Sequence, residues 1–174
     1  LPIFVAQEKG WFAKHNVELA ITMTPSSAYQ AEALAKGEFD IAGTAFDNVV
    51  AYTEGQGAVA LPETPDFFAF IGATQIELAI IAQPDNNAVA DLAGKSLALD
   101  APGTGFAFVF YHMLEKGGVA PGSYERVAVG ATPQRWESVK AGQHAATMTI
   151  EPFTSIAAAQ GFKVLAKSTE TISD

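Results

Sequence analysis

The sequence predicts an α/β fold: mostly parallel sheets with helices on both faces, arranged as two lobes. Three observations carry that prediction. Strand-like and helix-like patterns alternate along most of the chain, the order that produces parallel sheets with right-handed crossovers. Residues 67–83 break the rhythm, because two strand-like runs follow one another with almost nothing between them. Finally, Glu32–Gly37 followed by Phe39–Thr44 is echoed by Glu137–Gly142 followed by His144–Thr149, a helix, a glycine stop and a strand repeated at a spacing of 105 residues.

Taken in order, residues 3–12 read as a helix stopped by Gly10. Val17, Leu19, Ile21 and Met23 alternate with Glu18, Ala20 and Thr22, the period of a strand. Pro25-Ser26-Ser27 makes a turn with a serine cap, and Ala28–Lys36 is a run of helix formers closed by Gly37. Phe39–Thr44 reads as a short strand, and Asp47–Tyr52 as the helix after it. Phe67–Ala73 and Glu77–Gln83 are the paired strand-like runs, joined by Thr74-Gln75-Ile76. Beyond them come a strand at Ser96–Leu99, a helix from Thr104 to Lys116 and a strand at Arg126–Val129. Thr132 is expected as the cap of a helix with Pro133 in first position, running to Gly142. A strand at Ala145–Ile150, a helix opened by Pro152 and a strand at Phe162–Ala166 complete the pattern.

Composition removes whole classes of function. The 174 residues, 49% of them hydrophobic, suffice for one ordinary domain or two small ones. Ten Lys and Arg against nineteen Asp and Glu give a net charge of −9, which argues against nucleic acid as a partner. The absence of cysteine excludes disulfides, thiolate nucleophiles and Cys-ligated metals. No apolar run reaches the ~18 residues of a membrane span. Gly94-Lys95-Ser96 ends like a phosphate-binding loop, but Val89 stands where its first glycine belongs. Gly103-Thr104-Gly105 begins like a dinucleotide fingerprint, but Phe108 holds the third glycine position. His15, His112 and His144 are too scattered to form a metal motif, and no Gly-x-Ser-x-Gly nucleophile elbow is present. Nothing here asks for catalysis, a metal or a cofactor.

What remains is a set of loops at the carboxyl ends of expected strands: 23–27, 43–48, 100–106 and 149–153. Ligands of open α/β sheets bind at that edge, where helix N-termini present unpaired N–H groups. Ser26, Thr44 and Thr104 offer hydroxyls there, and Gly43, Gly103 and Gly105 admit close approach to the backbone. Ala45 and Pro102 belong to the same loops, Phe46 and Phe106 offer apolar walls, and Asp47, Asp100 and Glu151 offer carboxylates. Each has a plainer role open to it: capping for Ser26, Thr104 and Asp47, core packing for Phe106.

Four ordered stretches then carry a resemblance. They are Pro2–Phe12 with Asn16–Leu19, Ala33–Gly43, Asp91–Lys95 with the Gly103-Thr104 loop, and Val139–Gly142 through Phe153. Together the chain resembles the substrate-binding proteins of ABC importers that handle nitrate, sulfonates, taurine and thiamine-pyrimidine precursors. The resemblance implies a type II periplasmic-binding fold, truncated at both ends. Its lobe I would be 1–77, its lobe II 78–166, and 167–174 would start the return crossing, with 67–83 holding the first crossing. It implies a high-affinity site for a small organic solute in the interlobe cleft, formed by Ser26, Thr44–Asp47, Pro102–Phe106 and Glu151. It also implies delivery to an ABC permease by a monomeric, non-enzymatic protein that is periplasmic, or extracellular and lipid-anchored, with any export signal upstream. The carboxylates oppose a bare anion, so an aminopyrimidine or other amine-bearing ligand is favoured, and an alkyl sulfonate comes next. Two alternatives belong to other classes: a pyrimidine-precursor synthase of the same fold, against which the missing cysteines argue, and a ligand-sensing regulatory module.

Overall fold

A computed structural model describes residues 2–73 and 75–172. Its sheet lies entirely in the second part of the chain and has the order β3-β2-β4-β1-β5. The strands are β1 (Ala79–Ala82), β2 (Ser96–Leu99), β3 (Glu125–Ala128), β4 (Ala146–Thr149) and β5 (Lys163–Lys167). β2 pairs in parallel with β3 and β4, whereas β1 runs antiparallel to both β4 and β5. Four strands thus share one direction, and the reversed β1 enters the middle of the sheet from the N-terminal part.

Helices cover both faces, as two opposed apolar sets require. On one face, α5 (Gly105–Lys116) buries Ala107, Phe110, Met113 and Leu114 against Ile80, Leu97, Leu99 and Met148. On the other, α6 (Thr132–Lys140) and α7 (Phe153–Ala159) enclose Ile81 with Trp136 and Ala157. The Trp136 and Phe162 rings meet edge to face at 4.8 Å. Consecutive residues Ile80 and Ile81 point to opposite faces and are both fully buried, so β1 is apolar throughout rather than alternating.

The N-terminal part differs from expectation. It forms α1 (Pro2–Glu8), α2 (Trp11–Lys14), α3 (Ser27–Ala35) and α4 (Phe46–Thr53), but no strand among the described residues. The strands expected at 17–23, 39–44 and 67–73 have no ladder, and Met23, Ile41, Phe68 and Ile71 are exposed. Alternation marks which face a strand would bury, but a strand forms only when another segment pairs with it. Leu1, Thr74 of the expected 74–76 connection, and Ser173 and Asp174 of the expected return crossing lie outside the described residues. One cap also moves: Ala131 precedes α6, so Thr132 and Pro133 fall inside it. A one-turn helix, α8 (Ser168–Thr171), follows β5.

Candidate functional site

The carboxyl ends of β2 and β3 meet the N-terminal part of the chain, and the hydrogen bonds that join them include three among the described residues. Ser27 Oγ donates to Asp100 Oδ2, just past β2. The Ala131 amide, just past β3, donates to the Pro25 carbonyl at 2.9 Å. The Gly105 amide, in the first turn of α5, donates to Asp47 Oδ2 at 3.0 Å. Two glycines make these approaches feasible. A Cβ on Gly105 would lie 2.3 Å from Asp47 Oδ2, and Gly130, at φ 118°, would place one 2.9 Å from the Pro25 carbonyl.

Of the residues expected at a site, the structure brings Asp47 and Gly105 into contact; Thr104 precedes Gly105, and Ser26 precedes the Ser27 that bonds Asp100. Ser26 also caps α3 by accepting from the Tyr29 amide at 3.1 Å. Thr104 caps α5, accepting from the Ala107 amide and donating to the Ala101 carbonyl. Ala45 is the N-cap position of α4, and Thr44 accepts from Asn48 Nδ2 at 2.8 Å. Phe46 is exposed, while Phe106 leans on the core under α5. Gly103 stands open, and the Pro102 carbonyl accepts from the Tyr111 hydroxyl at 3.0 Å. Glu151 is not drawn to the junction. Its carboxylate accepts from the Ser155 amide and hydroxyl at the start of α7, at 3.3 and 3.0 Å.

Asp100 is the unsatisfied member. With Oδ2 engaged by Ser27, its buried Oδ1 has no hydrogen-bond partner. Buried polar atoms without partners are costly, so this acceptor calls for a donor from outside the chain, whether solvent or solute. Asp100, Thr104, Phe106, Arg135 and Met148 line a cavity of only about 10 Å³ beneath α5.

Arg135 is the residue that the motifs did not single out. Its guanidinium is buried, donating to Thr147 Oγ1 at 3.1 Å, the Gly130 carbonyl at 2.7 Å, Thr132 Oγ1 at 3.0 Å and the Met148 carbonyl at 3.1 Å. Thr147 passes the linkage on, donating to the Ala98 carbonyl at 2.8 Å. Arg135 therefore ties β2, β4 and the loop after β3 into one edge. Burial lowers its pKa to about 10, and the charge of Asp100 acts in the opposite sense. The sequence held one signal for it: 135 and 139 are four apart, so this arginine shares a helix face with the buried Val139.

A larger pocket of about 350 Å³ opens at the opposite edge of the sheet, beside Asn86, Lys95, Ser96 and His144. Several of its polar groups pair with one another. Lys95 donates to Asn86 and lies 3.8 Å from Asp85, and Ser96 Oγ meets His144 Nδ1 at 2.8 Å. Among the described residues, no three His, Asp or Glu side chains group as a metal site would require.

These features define a class, a two-faced α/β sheet whose strand ends gather loops from distant parts of the chain. The chain belongs to the NMT1/THI5-like family, which it matches over residues 1–170. No curated protein sequence matches it. It is similar in structure to the alkanesulfonate-binding protein SsuA of Xanthomonas axonopodis pv. citri, solved with MOPS, at TM-score 0.69 and 20% identity over 95% of this chain and 56% of that one. A protein from Bordetella bronchiseptica gives TM-score 0.68 and 18% identity over 99% of this chain and 55% of that one. The periplasmic aliphatic sulphonate-binding protein SsuA of Escherichia coli gives 0.60 and 21%, over 97% and 57%. At these identities the likeness shows the fold, that of type II periplasmic-binding proteins. The chain spans a little over half the length of each of these structures. Among the described residues, no helix is long and apolar enough to cross a membrane.

Proposed function

We propose that the protein binds a small organic solute where the N-terminal loops meet the sheet's carboxyl edge, without catalysis, and delivers it to an ABC permease. The observation that carries this reading is the junction itself, where Ser27–Asp100 and Asp47–Gly105 join residues 73 and 58 positions apart around an orphaned carboxylate oxygen. We read residues 1–77 and 78–166 as two lobes and 167–174 as the start of a return crossing. Among the described residues, the strands are confined to 79–167, which supports that division. Ligand entry then requires the two lobes to part at the three bonds, as in hinge-closing receptors. Similarity to ABC-type and periplasmic binding proteins supports the import role and a periplasmic or lipid-anchored extracellular location.

Within the site, Asp100 Oδ1 is an acceptor awaiting a donor, which favours an amine-bearing heteroaromatic ligand such as an aminopyrimidine. An alkyl sulfonate is the second reading, favoured by the sulfonate-binding proteins among the similar structures. Asp47, Thr104 and Gly105 are assigned to the ligand shell together with Asp100, and Glu151 is left at its rim. Calorimetry with a panel of aminopyrimidines and alkanesulfonates tests the reading. Binding of aminopyrimidines is expected; binding of sulfonates alone overturns the ligand class, and binding of neither overturns the site.

A further inference from the structure

The carboxylate of Asp47 occupies the position an oxyanion would seek. α5 is a twelve-residue helix, and its first-turn N–H groups have no partners within the helix. Thr104 satisfies the Ala107 amide, while the Gly105 amide meets Asp47 Oδ2 instead. A negative group is favoured at such a terminus, and here the chain supplies its own from 58 residues away. The approach depends on Gly105, since a Cβ there would collide with the carboxylate.

Among the described residues, the one buried guanidinium near the junction, on Arg135, already donates to Gly130, Met148, Thr132 and Thr147, and its charge is opposed by Asp100. The remaining charge is Asp100, half-buried and already carrying one unpaired oxygen. An anionic headgroup entering here would have to displace Asp47 and then sit between two carboxylates.

We propose that Asp47 determines specificity by excluding anionic headgroups from the α5 N-terminus, leaving Asp100 to select ligands that donate hydrogen bonds. The proposal deepens the ligand-site reading above and rests on it. It is tested by titrating the wild type, Asp47→Ala and Asp47→Asn with methanesulfonate while following the Gly105 amide resonance. Asn can still accept from Gly105 without a charge, so it guards against loss of folding in the alanine variant.

Both variants are expected to bind methanesulfonate at least about tenfold more tightly than the wild type, Asp47→Ala more so, with the Gly105 amide shifting on binding. Equal affinity in wild type and variants, or a shift of Gly105 in the wild type at the same concentrations, overturns the proposal. An aminopyrimidine titrated in parallel separates the two levels. Its failure to bind the wild type defeats the ligand-site reading, whereas the methanesulfonate comparison decides the role of Asp47.

Discussion

At the scale of single residues, Arg135 and Asp100 set the terms at the sheet edge. A buried guanidinium survives because it is paired at four acceptors, two of them backbone carbonyls. Replacing it leaves Gly130, Met148, Thr132 and Thr147 without their donor and removes the charge opposing Asp100. Arg135→Met should therefore destabilise the protein by about 3 kcal/mol, read as the loss of unfolding free energy in urea. Arg135→Lys, which keeps the charge but not the planar fork, should cost less. Neither residue's part was plain in the sequence. Asp100 stood in an expected loop among several carboxylates, and Arg135 showed only as a charge at core spacing. Glu151 looked equivalent to Asp47 because both follow or flank strand ends. The two differ in their partners: the serine four residues on takes the Glu151 carboxylate at the head of α7, whereas Asp47 reaches the Gly105 amide.

At the scale of elements, the sheet was the legible part. Strands at 79–82, 96–99, 125–128, 146–149 and 163–167 fall on or within a residue of the expected runs; α3, α5, α6 and α7 end just before their glycine stops, and Ser26 and Thr104 cap α3 and α5. These elements are marked by local pattern, and their partners lie within the same sheet. The segments 17–23, 39–44 and 67–73 carry as clear a pattern and form no ladder, because pairing is a property of two segments and only one is written locally. The reversal of β1 was equally invisible, since direction leaves no trace in hydrophobicity. Packing around α5 makes a firm expectation: Phe110→Ala should cost about 3–5 kcal/mol, measured by denaturant unfolding, because the ring is fully buried between helix and sheet.

A second element-level expectation concerns pH. Glu77, just before β1, accepts from Thr169 at 2.6 Å and pairs with Lys167 at 2.9 Å, binding the start of β1 to the end of β5 and α8. The Thr169 hydrogen bond first, and Lys167 second, hold its pKa below the ordinary 4.5. A carboxyl lowered in the folded state contributes stability that is full above its unfolded pKa and is lost as pH falls through the folded value. Glu77→Gln should accordingly flatten the fall of thermal midpoint below pH 4.5 relative to the wild type. An unchanged acid limb would deny the pairing any role.

At the scale of the whole molecule, the N-terminal helices are fastened to the sheet edge by hydrogen bonds that include Pro25–Ala131, Ser27–Asp100 and Asp47–Gly105. Each is worth about 1 kcal/mol net, so parting them lies within what binding a small ligand supplies. Ser27→Ala should loosen the junction and raise the hydrogen-exchange rate of the Ala131 amide about fivefold, the equivalent of one such bond. The central claim is that this junction, and not the open pocket at the other sheet edge, receives the solute. Amide chemical-shift mapping during titration with an aminopyrimidine tests it most directly. Shifts centred on Ser27, Asp47, Asp100 and Gly105 are predicted; shifts centred on Asn86, Lys95, Ser96 and His144 would contradict it.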